Sequence, residues 1–293
     1  MPDSPSAPKV WLLAARPKTL IAGIAPVLIG AAAAKQVDPL LFSLCLLFSV
    51  LIQIGANFAN DYFDYLKGAD TIDRVGPQRA AQSGWIAPPV LKQAACGMFL
   101  LAACLSLPLL IRIGWQISLL MPLTILFALL YTGGPRPLGY LGLGDLLVFI
   151  FYGPVATIAT YYALTLQLDL SLCLVSISPG LLSTAILTAN NLRDEKTDRM
   201  ANKKTVVVRF GQKWGQWEYL LCIVIAIVIP PLLACSGLAP KTWLLTLIAL
   251  PLSIPTVKAV FRARTGIEFA PLLPAAALQL ALFTALFLTA CLL

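Results

Sequence analysis

Nine long apolar stretches dominate this sequence, and they restrict the folds that it can form. Each contains roughly 20 mostly apolar residues, which is the length that an α-helix needs to cross a lipid bilayer. They lie at about 17–34, 39–59, 91–111, 115–132, 143–165, 170–190, 217–236, 241–258 and 271–292. The stretches are continuous, unlike the short alternating segments of a membrane barrel. We therefore predict an all-α, polytopic membrane protein with about nine transmembrane helices.

The composition excludes several other classes of protein. Hydrophobic residues make up 59% of the 293 residues and charged residues 12%, whereas soluble domains average about 45–50% apolar and about 25% charged residues. A soluble globular enzyme, a disordered chain and a fibrous repeat are therefore excluded. The absence of histidine excludes imidazole catalysis and histidine metal sites. Because the spans leave no room for a separate soluble domain, we expect a single integral membrane domain over 1–293.

The basic residues are distributed unevenly between the loops. All but three of the 21 Lys and Arg residues lie in the N-terminal segment or in the even-numbered loops; the exceptions are Lys35, Arg112 and Lys241. Basic loops remain on the cytoplasmic side of a membrane. We therefore predict a multi-pass protein of the cell (inner) membrane with a cytoplasmic N-terminus. The two largest polar stretches, 60–92 and 192–216, then also face the cytoplasm.

Two clusters of amide and carboxylate side chains occur where the second and sixth predicted spans end. The first comprises Asn57, Asn60, Asp61 and Asp64, and the second comprises Asn190, Asn191, Asp194 and Asp198. At 100° per residue, the first cluster and the series Asn190, Asp194 and Asp198 each form one stripe on a helix. Basic residues follow both clusters, namely Arg74 and Arg79 after the first and Lys203, Lys204 and Arg209 after the second. The pattern is a weak internal repeat.

Solvation explains a single aspartate at a helix end, but it does not explain stacked carboxylates. Carboxylates three or four residues apart repel each other, and placing them in a bilayer is costly. A hard cation such as Mg²⁺ offsets this charge, and it typically binds one or two carboxylates together with water and substrate phosphates. The clusters therefore predict a diphosphate site that uses Mg²⁺. Because both clusters end long apolar helices, we expect the organic part of the substrate, an isoprenoid, to enter the membrane.

These motifs resemble those of the UbiA superfamily of intramembrane prenyltransferases. The first family motif matches Asn57, Asn60, Asp61 and Asp64, and the second matches Asn190, Asp194 and Asp198. The chain is most similar to the MenA-type branch, the 1,4-dihydroxy-2-naphthoate polyprenyltransferases. Segments 15–19, 60–70 with 73–77, 131–144 and 190–198 carry this similarity.

The resemblance implies helices around a central cavity, with the diphosphate at its cytoplasmic rim. It implies that Asn57, Asp61 and Asp64 hold one Mg²⁺ ion and that Asn190, Asp194 and Asp198 hold another. The four aspartates are then the candidate catalytic residues. The candidate substrate-binding residues are Lys18, Asn60, Arg79, Tyr131, Arg136, Asn191, Lys203 and Lys204. The third acidic position of the first motif remains open between Asp70 and Asp73.

The activity that the resemblance implies is an aromatic polyprenyl transfer. A polyprenyl group would pass from polyprenyl diphosphate to 1,4-dihydroxy-2-naphthoate with loss of CO₂ and diphosphate, giving demethylmenaquinol for menaquinone biosynthesis. Another aromatic acid, such as a naphthoate isomer or homogentisate, remains an alternative acceptor. A cation-coupled membrane transporter is an alternative from another class, because transporters also contain acidic residues in repeated halves. The prenyl chain length, the oligomeric state and the proton acceptor are left open.

Overall fold

The computed structural model describes residues 6–69, 75–114 and 119–293, and throughout these ranges the regular elements are helices. The helices are α1 (Ala7–Ala15), α2 (Pro17–Ala33), α3 (Pro39–Leu66), α4 (Pro88–Ile113), α5 (Leu120–Thr132), α6 (Gly144–Thr165), α7 (Leu170–Met200), α8 (Val206–Phe210), α9 (Gln212–Cys235), α10 (Lys241–Arg262) and α11 (Gly266–Leu292). The elements α6, α7, α10 and α11 each contain a local break or a change of helix type.

The helices agree with the predicted spans. Seven of the described helices are long and apolar enough to cross a membrane, and the bent pair α1–α2, with an angle of 49°, makes an eighth. The shorter α5 coincides with the described part of the predicted span 115–132. Large apolar side chains such as Ile111 and Leu278 are exposed on the outer surface, as expected for helices that contact lipid. The prediction of an all-α, polytopic membrane protein is confirmed, and about nine spans is consistent with these helices.

Helices α3 and α7 continue beyond the ends that hydropathy predicted for them. The prediction ended these spans at 59 and 190, whereas α3 reaches Leu66 and α7 reaches Met200. The N-terminus of α3 is well capped, because Asp38 accepts hydrogen bonds from the backbone N–H groups of Leu40 and Leu41 at 2.8 and 3.0 Å. Because α3 continues to Leu66 and α7 to Met200, both polar clusters lie within regular helix. Helix geometry therefore fixes the spacing between the side chains of each cluster.

The core lies where α7, α9 and α11 pack together. In the most apolar window of α7, 61% of the residues are buried, against 22% for α6 and α10. Leu182 of α7, Ile223 of α9 and Phe283 of α11 belong to one cluster of buried side chains. A second cluster joins α3 to α4. Helix α7 is thus a central element, and its two faces contact the core and a cavity.

A π-helical turn, Phe151–Val155, interrupts α6. Pro154 lies in this turn and cannot donate a backbone hydrogen bond, which favours a local widening of the helix. Gly153 faces α7 so closely that a Cβ atom at this position would lie 2.7 Å from the Cα of Gly180. Small residues permit such close helix crossings in membranes. The crossing brings the turn in α6 against the middle of α7.

Candidate active site

A cavity of about 270 Å³ lies between α2, α3, α4, α5, α6 and α7. At one end, which we call the motif end, it is lined by Arg16, Asn57, Asn60, Asp64, Arg79, Asn190 and Lys203. Farther along the helices the wall is mainly apolar and includes Val27, Leu109, Ile113, Met121 and Ala163. One chamber therefore combines a charged end with a hydrocarbon-like interior.

Asp64 is the carboxylate of the first motif that lines the cavity. It is buried, accepts a hydrogen bond from the Tyr140 hydroxyl at 2.8 Å and lies 3.9 Å from a guanidinium nitrogen of Arg79. Asn57 also lines the cavity, and its side-chain N–H₂ donates to the carbonyl of Ala15 at 2.9 Å. That carbonyl lies at the break between α1 and α2, so Asn57 fixes the bend beside the site.

Asp61 has a different environment from Asp64. Its carboxylate accepts hydrogen bonds from the backbone N–H groups of Ala80 and Ala81 at 3.0 and 3.3 Å, and the residue is only 1% exposed. It is absent from the cavity wall. Since Arg79 immediately precedes these two alanines, Asp61 holds the segment that brings Arg79 to the cavity.

Asn60 connects α3 with α5 at the cavity wall. Its side-chain oxygen accepts a hydrogen bond from the Thr132 hydroxyl at 2.7 Å. Lys67 donates to the backbone carbonyl of Thr132, and its ammonium group lies 5.1 Å from the centre of the Tyr140 ring. Partial burial lowers the pKa of Lys67, and the nearby Asp64 carboxylate opposes this shift. These contacts attach the end of α3 to α5 and to the loop after it.

The second motif contains a buried arginine–aspartate pair. Arg193 binds Asp194 in a bidentate manner, with N–O distances of 2.7 and 2.6 Å, and also donates to the side-chain oxygen of Asn190 at 2.7 Å. Arg193 is 6% exposed and Asp194 is 4% exposed. In the sequence alone, Arg193 is indistinguishable from the other basic loop residues. Its position between Asn190 and Asp194 in the sequence is the one feature that could have predicted its contacts with these two residues.

Asp198 and Lys203 form the next contact along the second motif. Their charged groups lie 3.4 Å apart, and Lys203 lines the cavity. The ammonium group of Lys203 also lies 5.8 Å from the centre of the Tyr140 ring. Because Tyr140 donates to Asp64 as well, it connects the two motifs. The predicted site includes Tyr131 and Arg136 from the loop 131–144, but not Tyr140.

The remaining candidate residues differ in their access to the cavity. Tyr131 lines it, whereas Lys18, Arg136 and Lys204 are exposed and lie outside its wall. Asn191 is buried, and its side-chain oxygen has no hydrogen-bond partner among the described residues. Asp70, Asp73 and Arg74 lie outside the described residues.

Arg16, rather than Lys18, lines the cavity at the start of α2. Arg16 adopts a left-handed backbone conformation, with φ of 53°, directly before Pro17 begins the helix. Its guanidinium group lies 3.5 Å from the backbone carbonyl of Asn57. The hydropathy pattern does not predict this left-handed turn. The sequence therefore could not show that Arg16 lines the cavity and Lys18 does not.

The donor set at the motif end fits Mg²⁺ with a phosphate ligand. In ranges 6–69, 75–114 and 119–293, no group of three or more Asp, Glu, Cys or His side chains is arranged to hold a metal ion by itself. Instead, Asp64 of α3 and Asn190 of α7 bring hard oxygen atoms to the wall of the same cavity. Mg²⁺ commonly needs only one or two carboxylates when water and phosphate complete its coordination. A cage made of protein ligands alone does not fit these residues.

Comparison with known proteins identifies the family. The profile of the UbiA prenyltransferase family matches residues 23–268. The chain is 36% identical over 279 residues to the 1,4-dihydroxy-2-naphthoate octaprenyltransferase of Haemophilus influenzae, covering 90% of each chain. It is 38% identical over 267 residues to the enzyme of that name from Mycobacterium tuberculosis, again covering 90% of each chain.

The fold is also similar to that of solved structures. A UbiA homolog from Archaeoglobus fulgidus, bound to DMAPP and Mg²⁺, superposes with a TM-score of 0.68 at 13% identity. The match covers 97% of this chain and 99% of the homolog. Together with the family profile and the relatives above, this similarity shows that the chain belongs to the UbiA prenyltransferase family.

Proposed function

We propose that this protein transfers a polyprenyl group from polyprenyl diphosphate to 1,4-dihydroxy-2-naphthoate. The products are demethylmenaquinol, CO₂ and diphosphate, and the reaction belongs to menaquinone biosynthesis. The observation that carries the proposal is a cavity in which a charged end meets an apolar interior. Such a chamber suits a substrate with an anionic head and a hydrocarbon tail. Relatives named 1,4-dihydroxy-2-naphthoate octaprenyltransferase, similar over about 90% of the chain, support the choice of acceptor.

The motif end supplies the groups that would bind the diphosphate. Asp64, Asn57 and Asn190 line the cavity and would hold Mg²⁺ there, with Asp64 as the catalytic carboxylate at its wall. Asp61, Asp194 and Asp198 lie behind this wall and would join the metal site by exchanging their contacts with Ala80, Arg193 and Lys203 for the ion. When bound, Mg²⁺ would neutralise the negative charge that develops on the departing diphosphate. Arg16, Arg79 and Lys203 line the same end and would bind the remaining phosphate oxygens. Lys18, Arg136 and Lys204 are exposed and would contribute to the field that attracts the anion.

The interior of the cavity would protect the reactive carbon. As the C–O bond breaks, its electrons move to the diphosphate and leave an allylic carbon with cationic character. The apolar wall, which includes Phe48, Phe127 and Phe151, excludes water that would otherwise capture this carbon. The carboxylate-bearing carbon of the acceptor then forms the new C–C bond. Loss of CO₂ returns the electrons of the broken C–C bond to the ring and restores its aromaticity.

The orientation in the membrane follows from the charge distribution. All but three of the 21 basic residues lie in the N-terminal segment or in the even-numbered loops between the predicted spans, and both motifs lead into such loops. By the positive-inside tendency, the motif end faces the cytoplasm of the cell (inner) membrane. Water-soluble diphosphate would leave on this side, and the prenylated product would remain in the lipid.

The proposal is tested by incubating the purified protein in lipid nanodiscs with 1,4-dihydroxy-2-naphthoate, polyprenyl diphosphate and Mg²⁺. We expect demethylmenaquinol by mass spectrometry, and no product after chelation with EDTA. A panel with homogentisate and a naphthoate isomer measures the alternative acceptors. Consumption of another aromatic acid instead of dihydroxynaphthoate would contradict the assigned acceptor. No consumption of the diphosphate with any acceptor would favour the transporter alternative.

A further inference from the structure

A polar patch lies in the cavity wall beyond the diphosphate motifs. It consists of Thr19, Gln53, Tyr152 and Ser183, all of which line the cavity. A polyprenyl chain makes no hydrogen bonds, so these groups serve no purpose for it. Polar groups placed singly in an apolar pocket usually orient a ligand. The patch therefore indicates a second kind of ligand in the same chamber.

The patch lies directly inside the diphosphate end. Gln53 is four residues before Asn57 on α3, so the two share a face and are separated by just over one turn, about 6 Å along the axis. On α7, Ser183 is seven residues before Asn190, which is about two turns deeper on the same face. Prenyl transfer requires the reacting carbons to approach within about 3–3.5 Å. The acceptor ring must therefore occupy this level of the cavity.

A hydrogen-bonded chain connects the patch to the first motif. The side-chain N–H₂ groups of Gln53 and Asn57 both donate to the Thr19 hydroxyl, each at 3.4 Å. The Tyr152 hydroxyl donates to the side-chain oxygen of Gln53. A phenol that donates its own proton still has lone pairs that accept. Tyr152 is thus oriented to accept a hydrogen bond from a ligand hydroxyl.

Ser183 provides an independent indication of a ligand. It is 2% exposed, and its hydroxyl has no hydrogen-bond partner within the described part of the chain. Buried hydroxyl groups are nearly always hydrogen-bonded. Because this hydroxyl belongs to the cavity wall, an oxygen atom of a bound ligand would supply the missing partner.

The local backbone also distinguishes this level of the cavity. Tyr152 lies in the π-helical turn of α6, and π turns occur frequently at functional sites. Three residues of the turn, Phe151, Tyr152 and Val155, line the cavity. The crossing of Gly153 with Gly180 holds the turn against α7, close to Ser183 in sequence.

We infer that Thr19, Gln53, Tyr152 and Ser183 form the subsite for the hydroxyl groups of the aromatic acceptor. The ligand class is a hydroxylated aromatic acid, and the inference rests on the proposed prenyl transfer. Tyr152 accepts a hydrogen bond from one ring hydroxyl, and Ser183 donates to an oxygen on the ring. Gln53 and Thr19 orient Tyr152 and are positioning residues. The subsite selects among acceptors and does not bind the diphosphate.

The test compares Tyr152→Phe and Ser183→Ala with the wild-type protein in nanodiscs. Equilibrium binding of 1,4-dihydroxy-2-naphthoate is measured anaerobically by fluorescence, and KM is measured for both substrates. Loss of one hydrogen bond is expected to weaken acceptor binding and to raise its KM about tenfold. The KM for geranylgeranyl diphosphate should change less than about twofold. Tyr162→Phe is the matched control, because Tyr162 lies on the same helix outside the cavity wall, and it should behave as wild type.

The outcomes separate the two proposals. Unchanged naphthoate binding in both variants would overturn the subsite, as would a selective rise in the KM for the diphosphate. If the wild type forms no prenylated naphthoate but Tyr152→Phe still weakens naphthoate binding, the subsite stands and the proposed transfer fails. A further test compares the binding of 1,4-dihydroxy-2-naphthoate with that of its two monohydroxy analogues. If the Tyr152→Phe variant prefers the dihydroxy compound as strongly as the wild type does, the inference is contradicted.

Discussion

Individual carboxylates in the two motifs have different partners, and their substitutions should have different effects. Asp64 lines the cavity and contacts Tyr140 and Arg79, whereas Asp61 binds backbone N–H groups. Asp194 is paired with Arg193. From the sequence motifs alone, the three aspartates would be equivalent metal ligands. The partners now predict which variants lose chemistry, which lose a loop contact and which lose stability.

Asp64→Asn should reduce the turnover rate by at least about 100-fold, the scale seen when a group that stabilises a transition state is removed. The cause is loss of a negative charge at the cavity wall with little change of shape. Turnover and thermal unfolding are measured in nanodiscs. Glu195→Gln is the control, because Glu195 pairs with the exposed Arg199 at the helix surface. Equal activity of Asp64→Asn and wild type would refute the catalytic role.

Arg193→Gln should lower the stability by about 3–5 kcal/mol, because it leaves the buried Asp194 without its guanidinium partner. Added Mg²⁺ should raise the unfolding temperature of this variant more than that of wild type, since the freed carboxylate can bind the ion. The measurement is thermal unfolding at several Mg²⁺ concentrations. An unchanged unfolding temperature without Mg²⁺ would show that the pair has no structural role.

At the scale of elements, Asp61 of α3 holds the part of the following segment that contains Arg79, Ala80 and Ala81. Asp61→Ala removes the acceptor of two backbone N–H groups, each worth about 1–3 kcal/mol when buried without a partner. We expect faster protease cleavage at 79–84 and a higher KM for the diphosphate, because Arg79 loses its position. Asp38→Ala, which removes the cap of α3 at the other end, should change neither property. Normal protection of the segment in Asp61→Ala would contradict this role.

The crossing of α6 and α7 is a second feature at this scale. Gly153→Ala should destabilise the protein by about 1–3 kcal/mol, as expected for overpacking, because its Cβ would lie 2.7 Å from the Cα of Gly180. Gly97→Ala is the matched control, since a Cβ at this position in α4 meets nothing within 4 Å. The measurement is the free energy of unfolding of both variants, obtained by chemical denaturation. Equal stability would mean that the helices separate without cost.

Across the whole molecule, hydropathy and charge predicted the spans because lipid contact acts on each helix separately. The meeting of the two motifs was also predictable, since Asn57, Asp64 and Asn190 occupy equivalent helix ends. The partners of Asp61 and the position of Arg16 at the cavity wall could not be predicted, because they depend on contacts between segments that are distant in the sequence. The helix ends at Leu66 and Met200 were missed because the last turns before them are polar, and hydropathy ends a span where polar residues begin.

The central claim is that both motifs act on one diphosphate in a shared cavity. Isothermal titration with geranylgeranyl diphosphate at saturating Mg²⁺ tests it in wild type, Asp64→Asn and Asp194→Asn. We predict one ligand per chain in the wild type and binding at least about tenfold weaker in each variant. Two ligands per chain, or wild-type affinity in either variant, would contradict the account.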